Sequence, residues 1–406
     1  MISMTQAFPP PPAKPFERLQ ANDGLLINAE RWRKAHEYHR QRQNVHYQSL
    51  NQPGIVHGLG VHVIPAPSEV QAQFRDGRWI QIQPGIALDL AGNPIIVPQP
   101  IDFRIAVEVP AQEPLMVYLV VSYVDPEDLR RDERREMVQE TFRIDEKTNP
   151  AEVMEVEVCR VLLQPGEVQL SLPSDVFFPG YNNLDLRFRT QARARSQAVV
   201  RVAQVNHSDP DCARGFFNLG YLLRSVEVLY PQLQALDEIG QVTLEPGNET
   251  LETYDLLYLT GKQALSLNSR EFEALKRYLD GGGGLFVDAP SDGTALVESV
   301  TALAQQLETP LEYLDRLRRD HPLRTQPFLF AALPVINKQP IRLLTGGGII
   351  LVMGDLASAW GLDEGLSLAR VTIRTAQELG VNLLHYAWRR RQLISLQQQA
   401  SPGPTG

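Results

Sequence analysis

Leu275–Asp288 reads LKRYLDGGGGLFVD, and the order of residue types within it decides the fold of the second half of the chain. Phe272, Leu275 and Leu279 fall at helical spacing behind Ser269, a good cap residue. Gly281–Gly284 then stand where that helix has to stop, because the residue past a helix end takes a positive φ that glycine adopts without steric cost. Leu285-Phe286-Val287 follows as a short apolar run, the mark of a buried strand. The order is helix, glycine cap, strand. A phosphate-binding loop needs the reverse order, so that helix amides face the anion, and the glycines are therefore read as a cap.

The same alternation extends on both sides. Ala198–Val205 predicts a strand, and Phe216–Leu229 predicts a helix with Leu219, Leu222, Leu223 and Val226 on one face. Tyr254–Leu259 predicts a buried strand, and Ala295–Leu307 a helix. Gly346–Gly348 is a hairpin turn ahead of the strand Ile349–Met353. A last helix runs from about Leu366 or later to Leu396, with a break near Gly380. Strands alternating with helices of this length predict a three-layer α/β domain with a mostly parallel sheet.

The first half obeys a different period. Phe8–Pro15 (FPPPPAKP) is an extended, proline-rich arm. Asn28 caps a helix over Ala29–Gln48, with Trp32, Ala35 and His39 as its expected buried stripe. From Ile55 the pattern becomes short strands between Pro/Gly turns: Ile55–Ile64, Trp79–Gln83, Ile86–Asp89, Ile95–Val97, Leu115–Val124 and Val153–Leu163. These predict an all-β sandwich or barrel. Asp125–Glu136 reads as a solvated loop or short helix between two of them. The expected organisation is an arm over 1–20, a helix plus β-rich domain over 21–172, a linker over 173–197, the α/β domain over 198–396 and a disordered tail over 397–406. The fold class is multidomain, α+β followed by α/β.

The 406 residues carry a net charge of -9, with 43% hydrophobic and 21% charged residues. That composition supports sizeable cores and excludes a strongly basic nucleic-acid binder. Leu115–Val121, the longest apolar run, is far shorter than a membrane-crossing helix requires. Cys159 and Cys212 are too few for a disulfide framework or a four-thiolate zinc site, and they suit a reducing compartment.

Candidate chemistry is sparse. His36 and His39 share a helical face but stand three apart, not at the four-residue spacing of the zinc-peptidase helix, and packing is the favoured reading. Neither cysteine lies in a nucleophile elbow: Cys159 falls inside a strand and Cys212 in a loop. Thr260-Gly261-Lys262 ends a strand without the rest of a phosphate loop. The best polar cluster is Asp288, Asp292, His321 and Asp355, since strand carboxyl ends are where α/β ligand sites form. Asp288 and Asp292 fit capping of the following helix equally, and capping is favoured. Arg187, Arg189, Arg193 and Arg195 form the one basic run, which is weak support for nucleic-acid binding in an acidic chain.

Two resemblances follow from these blocks. The helix WRKAHEYHRQRQNVHYQSL with Ile55–Val61, Ile82–Asp89 and Gly92–Val97 resembles the β-rich modules of baseplate-associated proteins in phage-tail-like contractile injection systems. Tyr254–Gly261, Leu275–Asp288, Asp320–Leu323, Met353–Leu356, Ala359-Trp360 and Leu379–Leu383 resemble uncharacterised domains of glutamine-amidotransferase-like fold. The amidotransferase cysteine has no counterpart, and Asp288 is followed by Ala289-Pro290 and not by a second acid. The resemblances imply a non-enzymatic structural component at or near a baseplate, present in multiple copies among other baseplate proteins. No catalytic, cofactor or metal residues, no cofactor and no nucleic acid are expected. The location implied is cytoplasmic, within an assembled particle, with membrane contact only through partners. The competing reading is a hydrolase or small-ligand-binding protein using the cleft near Thr260, Asp288 and His321.

Overall fold

A computed structural model describes residues 14–20, 22–125, 139–206, 212–244, 249–336, 338–361 and 368–399. Most of the expected proline arm, all but the first residue of the expected loop over 125–136, and the expected tail from residue 400 lie outside them. The chain divides into two compact units, Met1–Arg195 and Ser196–Gly406. The fold is multidomain: a helix and small sheets first, then an α/β unit.

In the first unit, helix α1 spans Ala29–Leu50, and Asn28 caps it by accepting from the Arg31 amide (2.9 Å). None of its residues is fully buried. The expected stripe of Trp32, Ala35 and His39 is therefore a misreading: Trp32 is 56% exposed and His39 is exposed. The docking face is polar instead. Arg40, Asn44 and Gln48 recur every four residues, and their side chains bind Asp125 (2.6 Å), Asn93 (2.7 Å) and the Ala91 carbonyl (2.5 Å). The turn that Asn44 and Gln48 meet is Asp89–Asn93. Asp89 is buried and accepts from the Asn93 amide (2.8 Å) and side chain (2.9 Å). Gly92 has φ +82, and a Cβ there would lie 2.5 Å from the Asn44 carbonyl oxygen, so only glycine lets α1 sit against this turn.

Three three-stranded antiparallel sheets share one core. They join Gly54–Gly58 with Gly85–Leu88 and Pro94–Val97, Val61–Val63 with Trp79–Ile82 and Ile101–Arg104, and Leu115–Val124 with Thr141–Lys147 and Glu155–Leu163. Ile55, Ile80, Ile95, Val117, Leu119 and Val161 fill the space between them. The segment expected as a linker belongs to this unit up to Arg195. Leu184 is buried in its core, and Asp185 and Arg160 exchange backbone hydrogen bonds (2.9 and 3.1 Å). Arg193–Ala194 pair with Asn51–Gln52.

The second unit is built on a seven-stranded sheet. Its spatial order is Gly240–Val242, Val202–Val205, Leu256–Thr260, Gly284–Ala289, Ile349–Met353, Arg342–Gly346 and Glu312–Tyr313. The first five strands are parallel and the last two antiparallel to their neighbours. Helix α2 (Cys212–Leu229) and helix α6 (Arg370–Gln399) cover one face, while α3 (Ser269–Asp280) and α4 (Thr294–Gln306) cover the other. Strand residues alternate accordingly. Tyr258, Phe286, Ile350 and Val352 join Leu222, Leu379 and Trp360, whereas Leu257, Leu259, Leu285 and Val287 join Leu275, Leu296 and Val300. Burying each such side chain stabilises the unit by about 1.5–3 kcal/mol.

The glycine cap forms as read: α3 stops at Asp280, Gly282 has φ +97, and the next strand opens at Gly284. Its N-cap is Asn268, one residue ahead of the expected Ser269, in a capping box with Glu271. Gly346–Gly348 is the hairpin turn. Helix α5 (Pro322–Thr325) is a single turn. Helix α6 runs unbroken through Gly380, contrary to expectation. A Cβ at Gly380 would lie 2.5 Å from Leu222 Cδ1, so this glycine serves close packing of α6 on α2.

Candidate functional site

The carboxyl ends of the central parallel strands converge on a cavity of about 1150 Å³ in the second unit. Each of three adjacent strands delivers a wall: Thr260-Gly261-Lys262 after Leu256–Thr260, Pro290–Thr294 after Gly284–Ala289, and Gly354-Asp355 after Ile349–Met353. The five parallel strands stand in the order second, first, third, fourth, fifth, so the connections reverse direction beside Leu256–Thr260. Loops diverge at such a reversal and leave a crevice.

Asp288 lies just beneath this cavity, 1% exposed. Its Oδ1 accepts from the Leu356 amide (2.9 Å) and its Oδ2 from the Ala357 amide (2.7 Å), while its carbonyl accepts from Thr260 Oγ1 (2.8 Å). One aspartate thereby ties three neighbouring strand ends together. Burial pushes its pKa up to about 7, the charge of Asp355 adds to the rise, and the two amides oppose it. Asp355 itself has φ +58, a left-handed conformation that aspartate tolerates. The cap favoured from sequence is not the one made. The α4 N-cap is Gly293 with no side-chain hydrogen bond, and Asp288 instead holds the short helical turn Leu356–Ala359. Asp292 pairs with Lys262 (2.8 Å), which lowers the Asp292 pKa.

His321 does not join the cluster. It caps α5, its Nδ1 accepting from the Leu323 amide (3.3 Å), and its ring lies 5.7 Å from that of Tyr386; burial lowers its pKa. Nearby, Asn382 is fully buried and satisfied: it accepts from the Phe328 amide (2.9 Å) and donates to the carbonyls of Leu323 (3.0 Å) and Phe328 (2.7 Å). Its position inside the apolar run Val381–Leu384 is the sequence signal for such a buried polar anchor.

Cys159 is fully buried in its strand, and burial pushes its thiol up to about 12, so no thiolate nucleophile exists there at neutral pH. Cys212 opens α2 and does not stand in a loop. Among the described residues no three His, Cys, Asp or Glu side chains group as metal ligands, and no helix is long and apolar enough to cross a membrane. The basic run is turned to internal use. Arg187 binds Asp185 (2.9 Å) and the Phe177 carbonyl (2.8 Å), lowering the Asp185 pKa. Arg189 donates to the carbonyls of Leu59 (2.6 Å) and Gly58 (2.7 Å), and Arg195 to that of Gln48 (2.8 Å).

What the first unit leaves open is apolar. In the segment 172–188, Leu172, Val176, Phe177 and Phe178 are 62%, 64%, 70% and 79% exposed, with Tyr181 and Phe188 also exposed. Leu26, Ile27 and Trp32 are exposed around the start of α1.

Residues 203–388 match the family model described as Domain of unknown function (DUF4159). Among solved structures, the chain is similar to the Cytoplasmic Protein STM3548 from Salmonella typhimurium, with 16% identity, a TM-score of 0.25, and coverage of 41% of this chain and 85% of that one. It is also similar to TssK, with 11% identity, a TM-score of 0.27, and coverage of 80% of this chain and 66% of that one. No curated protein matches the chain.

Proposed function

We propose that this protein is a non-enzymatic structural component of a contractile injection system, placed at or near the baseplate, and that it connects the particle to a partner through surfaces of its first unit. The observation that carries this reading is the run of exposed apolar side chains over 172–188, centred on Phe177 and Phe178. Large apolar side chains exposed this close together along the chain mark an interaction site more often than singly scattered ones do. The helix α1, with no buried residue and an exposed Trp32, adds a second face open to a neighbour. The resemblance of Leu26–Val97 to baseplate modules names the kind of assembly. Partners are then other baseplate proteins, in multiple copies within a cytoplasmic particle, and any membrane contact runs through them.

The hydrolase reading requires Asp288 to meet substrate, yet both its carboxylate oxygens are engaged by backbone amides. Nucleic-acid binding requires free arginines, and Arg187, Arg189 and Arg195 are engaged within the first unit. The test is purification of intact sheath–tube particles from cells expressing the tagged protein. The protein is expected in those particles at several copies each, and its consistent absence overturns the proposal.

A further inference from the structure

We infer that the cavity at the strand carboxyl ends of the second unit binds a small metabolite with an oxyanion at one end, a carboxylate or a phosphate, and hydroxyl or amino groups at the other. This is a ligand function separate from the assembly role, since it concerns only residues of the second unit.

The cavity holds about 1150 Å³, room for an ordinary metabolite, and it occupies the edge of the sheet where doubly wound folds bind ligands. Arg342 on its wall is exposed, and among the described residues its side chain makes no ion pair or hydrogen bond. Two other arginines of this unit are engaged by the fold instead. Arg390 donates to the carbonyls of Leu279 (2.9 Å) and Gly283 (2.8 Å), and Arg391 to that of Tyr254. A guanidinium left with its fork of donors open to a cavity matches the two oxygens of a carboxylate or phosphate. Lys262 supplies a second cation on the wall, held 2.8 Å from Asp292.

The rest of the lining sets the other end of the ligand. The hydroxyls of Ser291 and Thr294 stand in the wall, and Asp355 and Glu298 bring carboxylates. Those carboxylates repel a ligand that is anionic throughout and accept hydrogen bonds from hydroxyl or ammonium groups. The combination selects a compound of mixed character over a simple polyanion.

The experiment uses the full chain and two probes, ribose 5-phosphate and gluconate, in titration calorimetry at ionic strength fixed with sodium chloride. Saturable binding of either probe is expected, and the responding probe tells phosphate from carboxylate. Arg342→Ala should weaken that binding by at least about tenfold, the loss of a hydrogen bond to a charged group. Asp355→Asn should weaken it as well, because the hydroxyl end of the ligand loses a carboxylate acceptor while the left-handed backbone remains acceptable. Thermal melts without ligand confirm that both variants fold. Absence of saturable binding with both probes, or undiminished binding by folded Arg342→Ala, overturns the inference.

Discussion

The two units solve the same problem with opposite materials. The second places apolar side chains on both faces of its sheet, covers each with helices, and gathers its polar groups at one edge around a cavity. The first fastens its periphery with polar contacts. Arg189 reaches the carbonyls of Gly58 and Leu59, Arg195 reaches Gln48, and the Arg40–Asn44–Gln48 face of α1 meets Asp125, Asn93 and Ala91. It then leaves Phe177, Phe178 and Trp32 facing outward. A unit that spends polar side chains on its own loops while exposing aromatic ones has its unpaired surface available for another molecule.

The contrast breaks first in the second unit's core. Phe286 packs 5.4 Å from Tyr258 and 5.9 Å from Trp360 between ring centroids, and Phe286→Ala should cost about 3–5 kcal/mol in urea denaturation. Next comes Asp288. Its pKa rises from 3.8 unfolded to about 7 folded, so its contribution is fully present below pH 4 and is lost as pH climbs through 7. The stability of the wild type relative to Asp288→Asn should therefore fall between pH 4 and 7 and level off above, by a few kcal/mol at most on the order set by linkage. Equilibrium unfolding across that range checks the sign; a rising difference contradicts it.

Arg189→Ala should cost about 1–3 kcal/mol, because two carbonyls of a left-handed turn lose their partner. Arg189→Lys should recover only part, since an ammonium lacks the fork that spans both oxygens. The smallest expected effect on stability is that of Phe177→Ser with Phe178→Ser, within about 0.5 kcal/mol of wild type as for other exposed sites.

Legibility follows the same division. LKRYLDGGGGLFVD announces helix, cap and strand because apolar spacing and glycine chemistry are local properties, and this stretch of the second unit obeys them. Gly380 misleads because a helix-interior glycine is read as a break, whereas its cause is Leu222 on another helix. The stripe of Trp32, Ala35 and His39 misleads because apolar residues are assumed to face inward, and here polar side chains do the docking. Residues 173–195 read as a linker since their turns and arginines are polar. Their partners, Arg160, Leu59 and Gln48, are distant in sequence and carry no local signal. Asp288 was identifiable as a strand-end acid, but its acceptors' donors, Leu356 and Ala357, lie 68 and 69 residues away.

The central claim is tested most directly by expressing wild type and the Phe177→Ser/Phe178→Ser double variant side by side and comparing their recovery in purified particles. Wild type should co-purify in stoichiometric amounts, while the variant, melting like wild type, should be depleted from particles and remain in the soluble pool. Equal incorporation of the folded variant contradicts the account.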